Sequence, residues 1–212
     1  MVAVVHAAGL SGIDGYIVTV EGMLSGGLPR MDIVGLPDKA VSESAERVRG
    51  ALKQLGYDWP VSRLTINLAP ADTRKEGPVY DLSIALAILA MSGQINALPG
   101  KAVFLGELSL TGEIRPVCGA LSMAIAARDA GFDTIFLPAE NAAEASYAQG
   151  VTVYPVSRLG ELLAFLDRRG TLSPCPPPAP PDSIDDALDF AHVVGQGTVK
   201  RALLVAAAGG HN

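Results

Sequence analysis

The chain has 212 residues, 49% of them hydrophobic, which is enough apolar sequence for one substantial core and a smaller additional segment. Its formal net charge of -6 excludes a surface that attracts polyanions as a whole, so any nucleic-acid contact has to be local. Two cysteines exclude a disulfide framework or a cysteine zinc site, and no apolar run reaches the ~20 residues of a membrane span, which together predict a cytoplasmic protein.

The first strands are predicted to form an antiparallel meander. Residues 3–35 are rich in valine and isoleucine and are interrupted by glycine pairs, as in short strands joined by tight turns. Residues 15–21 and 31–34 fit two of three strands, and residues 25–29 fit the turn between them.

A helix is predicted after this meander. Asp38 follows a proline and can cap the helix, and Gly56 can end it. One buried face is indicated by apolar residues at helical spacing, namely Val41, Ala45, Val48, Leu52 and Leu55. The opposite face is expected to be solvated and to pair its cations with Glu43 and Glu46; these cations are Arg47, Arg49 and Lys53.

The next elements are a half-buried strand over residues 63–68, a polar loop over 70–78 and a second helix from about 79 to 92. The second helix is apolar on nearly all sides, which is typical of a helix in the middle of a domain.

The rest of the domain alternates strands and helices. Strands are predicted at residues 102–107, 134–137 and 151–155, and helices at 119–130, 139–148 and 157–167. Such alternation predicts βα units with parallel pairing. Together with the antiparallel meander it gives an α+β domain over residues 1–168.

A linker and the start of another module are predicted after this domain. Residues 174–181 read Pro-Cys-Pro-Pro-Pro-Ala-Pro-Pro, which favours a semi-rigid polyproline II spacer. The linker is placed at residues 169–188. Residues 189–212 then predict a loop, a helix and a double-glycine stop, with no layer for the helix to pack against.

Two sets of motifs carry a resemblance. Residues 106–117, which read Gly-Glu-Leu-Ser-Leu-Thr-Gly-Glu-Ile-Arg-Pro-Val, with 130–138 and 153–156, resemble the proteolytic domain of Lon proteases. Residues 35–49 and the ending Val-Gly-Gln…Gly-Gly-His-Asn extend the resemblance over the whole chain, to the ComM/YifB family of magnesium-chelatase-like AAA+ ATPases. The resemblance implies a Lon proteolytic-domain-like fold of the ribosomal protein S5 domain 2-like class.

The resemblance also implies that the protease chemistry is missing. Lon proteases use a serine and a lysine, and the matching positions here hold Val79 and Leu121. Ser83 lies one turn further along the second helix among apolar neighbours, so a core-facing or helix-bonded serine is favoured over a nucleophile. No catalytic residue is therefore expected.

The tail resembles the start of an AAA+ module, in which a Val-Gly-Gln segment lies near the adenine. This implies that Val194, Gly195 and Gln196 form part of a nucleotide site. The 212 residues contain no Gly-x-x-x-x-Gly-Lys-Ser/Thr loop to hold phosphates, so we expect no ATP hydrolysis and no cofactor in them, and ATP with Mg²⁺ in the complete protein.

DNA contacts are hypothesised at Arg63, Arg74 and Lys75, because the loop that carries the last two lies by the former dyad. The alternative is that these cations are simply solvated.

No metal site is expected in the sequence. The histidines His6, His192 and His211 are too scattered for a ligand set. Asp72 and Asp81 could bind magnesium, but capping and solvent exposure are the simpler explanation for both.

The favoured function is an accessory domain of a hexameric AAA+ DNA helicase that drives branch migration during natural transformation, with single-stranded or branched DNA as partner and no membrane contact. A Lon-like peptidase that uses unrecognised residues and a magnesium-chelatase-like ATPase subunit are the two alternatives.

Overall fold

A computed structural model of the protein describes residues 2–96, 98–177 and 189–210. The chain divides into two compact units, Met1–Pro178 and Ala179–Asn212. Residues 178–188 of the predicted linker, and His211, lie outside the described residues.

A seven-stranded sheet organises the first unit, in the order β3-β4-β2-β1-β5-β8-β9, and β6 and β7 form a separate two-stranded sheet. The described strands are β1 (Val2–Ser11), β2 (Asp14–Ser25), β3 (Arg30–Val34), β4 (Arg63–Ala69), β5 (Ala102–Phe104), β6 (Glu107–Leu108), β7 (Ile114–Arg115), β8 (Thr134–Pro138) and β9 (Thr152–Val156). In the large sheet β2 alone runs against its neighbours.

The described helices are α1 (Lys39–Ser42), α2 (Ser44–Gln54), α3 (Asp81–Met91), α4 (Ala120–Asp129), α5 (Ala142–Ala145), α6 (Leu159–Leu166) and α7 (Gly197–Gly209). Short 3-10 turns lie at Pro78–Tyr80, Ala139–Asn141 and Phe190–His192. In the described part of the chain, none of these helices combines the length and apolarity needed to cross a bilayer.

The mixed fold class is confirmed, with one correction in the meander. β1 and β2 form the expected antiparallel hairpin, and β2 continues antiparallel into β4. The third predicted strand does not extend this meander, because β3 is parallel to β4 at the edge of the sheet. Helices α1 and α2 connect β3 to β4, and a helical crossover of this kind returns the chain parallel to the strand it left.

The first predicted helix is two helices that meet at Glu43. Asp38 caps α1 as expected, since its carboxylate accepts a hydrogen bond from the backbone N–H of Val41 at 2.7 Å. Val41, Val48 and Leu52 are buried, but Leu55 at the end of the predicted face is 37% exposed.

Helix α3 is the central helix of the domain, as its composition predicts. It contacts β1 and β2 and also packs against α2. Ten of its eleven residues are buried, so the helix has no solvent face.

The alternation of strands and helices in the second half is confirmed, and β1, β5, β8 and β9 pair in parallel. The predicted strand at 102–107 is divided, because Gly106 has φ +152° and separates β5 from the small β6–β7 sheet. Such a backbone angle is open to glycine and strained for other residues.

The first unit continues beyond its last helix. The backbone N–H of Cys175 donates to the carbonyl of Val153 in the edge strand β9 at 2.7 Å, and Leu172 packs against the core. These residues therefore cover part of the sheet edge.

In the second unit, Asp189 caps the 3-10 turn and α7 follows. Val199, Leu203, Leu204 and Val205 of α7 are all exposed.

Candidate functional site

A groove of about 410 Å³ is lined in part by Val79, one of the two positions that the resemblance assigns to the Lon dyad. Most of its lining is apolar, and two carboxylates also line it. The lining residues are Leu10, Glu76, Gly77, Pro78, Val79, Glu107, Pro116, Val117, Cys118 and Met123. Three chain segments form its walls: the loop that leads into α3, the start of β6, and the segment between β7 and α4.

The first wall is held by Asp38 and Lys75. One carboxylate oxygen of Asp38 caps α1, and the other accepts a hydrogen bond from the N–H of Gly77 at 3.0 Å. The Lys75 ammonium has no exposed surface and donates to the carbonyls of Pro70 and Thr73. Burial lowers the pKa of Lys75 below its ordinary value, because a desolvated ammonium is disfavoured.

A buried ion pair holds the second wall. Arg47 donates to both carboxylate oxygens of Asp81, and the N–H of Leu108 in β6 donates to the same carboxylate at 3.2 Å. Burial raises the pKa of Asp81, and the hydrogen bonds from Arg47 and Ser44 oppose that rise. The pair was not expected, because Arg47 was predicted to pair with glutamates on its own helix.

The third wall is fixed by side chains of the 3-10 turn at Ala139–Asn141 and of α5. Asn141 accepts from the N–H of Val117 at 2.8 Å and donates to its carbonyl at 2.9 Å. Glu144 accepts from the N–H of Leu121 at 3.0 Å. These bonds fix the backbone at the start of α4, which carries Leu121, the position that the resemblance assigns to the Lon lysine.

The dyad positions themselves are apolar and packed. Val79 is 8% exposed, its carbonyl accepts from Gly106, and its side chain lies in the groove lining. Leu121 is half-buried against the core. Ser83 is buried, and its hydroxyl donates to the carbonyl of Tyr80 at 2.8 Å, which is the bonded arrangement that the sequence favoured.

The chemistry available in this groove is limited. The lining contains no serine, threonine, lysine or histidine side chain. Its polar groups are the carboxylates of Glu76 and Glu107 and the thiol of Cys118, and Glu107 is paired with Arg115 at 3.1 Å. The groove can accept a group non-covalently, but the lining holds no serine–lysine pair to attack a carbonyl.

The three candidate DNA contacts do not form one patch. Arg63 begins β4 while Arg74 follows the end of that strand, so about 20 Å of strand separates them. Arg63 is paired with Asp32 at 3.1 Å, and Arg74 is paired with Glu76 at 3.6 Å. Lys75 has to be withdrawn as a phosphate contact, because its fully buried amine is held by backbone carbonyls.

The predicted nucleotide residues lie in the second unit, directly before α7. Val194 is 95% exposed, and Gly195 and Gln196 both have left-handed backbone conformations. The carbonyl of Gln196 accepts from the N–H of Lys200 in the first turn of α7. Their role in nucleotide binding stays a prediction.

Within residues 2–96, 98–177 and 189–210, no group of three or more His, Cys, Asp or Glu side chains is placed to hold a metal ion. Asp81, which was considered as a magnesium ligand, forms an ion pair with Arg47.

Comparison with known proteins agrees with the motifs. The family model described as subunit ChlI of Mg-chelatase matches residues 20–141, which is more than half of the chain. YifB of Escherichia coli (strain K12) is 40% identical over 213 residues, 99% of this chain and 41% of that protein. Competence protein ComM of Haemophilus influenzae is 38% identical over 215 residues, 99% of this chain and 42% of that protein.

A more distant similarity reaches the proteases. Lon protease of Rhizobium meliloti is 26% identical over 175 residues, 77% of this chain and 22% of that protein. The chain spans about two fifths of the length of YifB and ComM.

Proposed function

The chain belongs to the family described as subunit ChlI of Mg-chelatase, with relatives YifB and ComM, and we propose that it is a non-catalytic accessory domain of a ComM-type AAA+ ATPase that acts on DNA. In this proposal the complete protein is a cytoplasmic homo-hexamer that binds ATP and Mg²⁺. It drives branch migration of single-stranded or branched DNA during recombination in natural transformation, without membrane contact.

The observation that carries the proposal is the pair of apolar side chains at the dyad positions. The resemblance assigns Val79 and Leu121 to the positions of the Lon serine and lysine, and the groove that Val79 lines contains no serine or lysine side chain. A domain that keeps the fold and lacks the nucleophile serves by binding or by assembly. Haemophilus influenzae ComM, which is named a competence protein, supports a role in DNA uptake or recombination.

The proposal is tested with the full-length protein. Fluorescence anisotropy with labelled single-stranded and forked DNA, in the presence of ATP and across a salt series, should show binding, and DNA should stimulate ATP hydrolysis. Arg74→Ala should lower the slope of log K against log salt by about 1 if Arg74 contacts a phosphate. Arg128→Ala is the matched control, since Arg128 is likewise exposed and paired with a neighbouring carboxylate. Absence of DNA binding, or of DNA-stimulated ATP hydrolysis, would contradict the proposal.

The proposed lack of protease activity is tested separately, with casein as the substrate. We expect no hydrolysis by the chain and no change in Ser83→Ala. Hydrolysis that disappears in Ser83→Ala would mean that the buried hydroxyl, now bonded to Tyr80, is a nucleophile after all.

A second candidate follows from the description of the family. Mg-chelatase subunit ChlI gives the matching model its name, so the complete protein is a candidate for an ATPase subunit in metal insertion. An assay of magnesium insertion into a porphyrin, with partner subunits supplied, distinguishes the two candidates. Insertion that depends on this protein would favour the chelatase function.

A further inference from the structure

A solvent-accessible pocket of about 490 Å³ lies beside the edge strand β3. Its lining comes from β3, from β4 and from the helices α1 and α2 that connect them; the residues are Arg30, Met31, Asp32, Ile33, Val34, Ser42, Ala45, Arg63 and Thr65. Two arginines and one aspartate give this lining a formal excess of one positive charge. The groove at Val79 is lined by two glutamates and by no lysine or arginine, so the two cavities carry charges of opposite sign.

The register of β3 and β4 brings the polar groups of this pocket together. Arg30 lies directly opposite Arg63, and Asp32 lies directly opposite Thr65. Residues two positions apart on a strand share a face, so these four side chains lie on one side of the sheet. Like charges directly opposite each other repel, so this placement of two arginines costs stability unless an anion offsets it.

Asp32 offsets the repulsion only in part. Its Oδ2 atom accepts hydrogen bonds from Nε of Arg30 at 2.9 Å and from Nε of Arg63 at 3.2 Å. One anion therefore holds two cations. Within the part of the chain that the structure describes, neither guanidinium group donates to a further residue, and the two arginine side chains are 57% and 45% exposed. Their remaining N–H groups are available to a ligand from solvent.

We propose that Arg30 and Arg63 bind one phosphate group between them, either free or in the backbone of single-stranded DNA. Guanidinium groups match phosphate oxygens with pairs of parallel N–H donors, and the Thr65 hydroxyl adds a donor on the same face. Asp32 is a positioning residue, because it holds both arginines in place before the phosphate arrives and so reduces the entropy lost on binding. The DNA source rests on the proposed function, whereas the phosphate site itself does not.

The charge of the whole chain makes an excess of cations at one place significant. The net charge of -6 gives no general attraction for polyanions, so a phosphate contact needs a place where cations outnumber anions. Arg74 and Arg128 are each paired with a carboxylate of their own and leave no such excess. Arg30 and Arg63 share one carboxylate. Because their site is exposed, a single phosphate should bind with a dissociation constant of about 1–10 mM.

NMR of the isotope-labelled chain, titrated with inorganic phosphate to about 50 mM, tests the site directly. We expect the Nε–H signals of Arg30 and Arg63 to shift and to saturate together, and Arg63→Ala should weaken the response of Arg30 about tenfold. Sodium chloride at equal ionic strength controls for screening. Arg128 is the internal control, since it is likewise paired with a neighbouring carboxylate. Signals of Arg30 and Arg63 that respond no more than in chloride, or no more than Arg128, overturn the proposal.

Fluorescence anisotropy of the full-length protein with labelled single-stranded DNA tests the DNA source. Arg30→Ala and Arg63→Ala should each weaken binding about fivefold to tenfold. The double variant should lower the slope of log K against log salt by about 0.7, the value for one phosphate of a single strand. Arg128→Ala should change neither quantity, and circular dichroism confirms that each variant is folded.

The two measurements separate the site from the proposed function. A phosphate response in the NMR titration with unchanged DNA affinity in the variants assigns the site to free phosphate and leaves the proposed function intact. A slope change near 1.4 in the double variant would mean that the arginines contact two phosphates, which contradicts a shared site. A full-length protein that binds no DNA contradicts the proposed function, while the NMR titration still decides whether the phosphate site exists.

Discussion

Arg47 and Asp81, which are 34 residues apart in sequence, form a bidentate ion pair with N–O distances of 2.6 and 3.0 Å. Asp81 has no exposed surface, and Arg47 also donates to the carbonyl of Ala40 at 2.7 Å. The pair joins α2 to the start of α3, two residues after Val79. It therefore fixes the groove wall without belonging to the groove lining.

Replacing Arg47 alone should destabilise the chain strongly. Arg47→Met leaves the buried carboxylate of Asp81 without its cation, which costs about 3–5 kcal/mol in comparable pairs. The double variant Arg47→Met/Asp81→Leu should recover much of this loss, because no buried charge remains. Urea unfolding measures both. Arg49→Met, on the exposed side of α2 near Trp59, is the control and should lose about 1 kcal/mol or less. A double variant less stable than Arg47→Met would contradict the prediction.

The Arg47→Met deficit should also depend on pH. Burial raises the pKa of Asp81 in the folded chain above its ordinary value of 3.8, and loss of Arg47 should raise it further. The folded state then binds more protons than the unfolded state above that value, so stability falls as pH rises. The deficit should be larger at neutral pH than near pH ~4. A deficit that is the same at both pH values would be inconsistent with an uncompensated carboxylate.

Asp38 is expected to matter more than an ordinary helix cap. Its two oxygens accept from Val41 and from Gly77, so Asp38→Ala removes a cap and releases the loop before α3. The loss should be about 2 kcal/mol, at the upper end of measured caps. Asp72→Ala, in an exposed position of the same loop, should change the free energy of unfolding by less than about 0.5 kcal/mol. Similar losses in the two variants would argue against the double role of Asp38.

Gly35 is required by both its backbone and its surroundings. It has φ +101°, and a Cβ there would lie 2.1 Å from the carbonyl oxygen of Leu68. Gly35→Ala should therefore destabilise the chain by at least about 2 kcal/mol. Gly56→Ala is matched in backbone strain, with φ +80°, but has open space around it and should lose only about 1 kcal/mol. The ranking of the two variants in thermal unfolding is the test.

Burial of the Lys75 ammonium should cost the protein less stability as the pH rises. Burial lowers its pKa in the folded chain below the ordinary 10.5. Between the lowered and the ordinary value the unfolded chain binds more protons, so stability rises with pH. This rise of the free energy of unfolding with pH should be absent in Lys75→Met. The stability of the parent chain relative to Lys75→Met should therefore increase from about pH 7 to about pH 9.5, by up to ~1.4 kcal/mol for each unit of lowered pKa. A constant difference would mean that the Lys75 amine is solvated.

Local sequence was sufficient for most elements of the fold. The apolar composition of α3 on all sides predicted its burial, and Asp38 after a proline predicted the start of α1. The partner of β3 was not predictable in the same way. Its residues fit an edge strand beside either β2 or β4, and the crossover through α1 and α2 decides between them.

The candidate site was predictable where it depends on residue identity. Val79 and Leu121, at the positions that the resemblance assigns to the dyad, predict its loss from the sequence, and this stays a prediction. The predictions for Lys75 and Arg47 were wrong, because a lysine in a polar loop and an arginine on a charged helix face both indicate solvent exposure. Their burial arises from carbonyls and a carboxylate that come from other segments.

The sequence by itself determined the family and the kind of each principal element, since these depend on residue types and their spacing. Only the tertiary structure decided which charges are buried and which polar side chains pair. Arg47 meets Asp81 across 34 positions, and Glu21 lies beside Asn67 across 46. Burial and pairing of this kind depend on the packing of segments that are distant in sequence, so the local sequence pattern does not predict them.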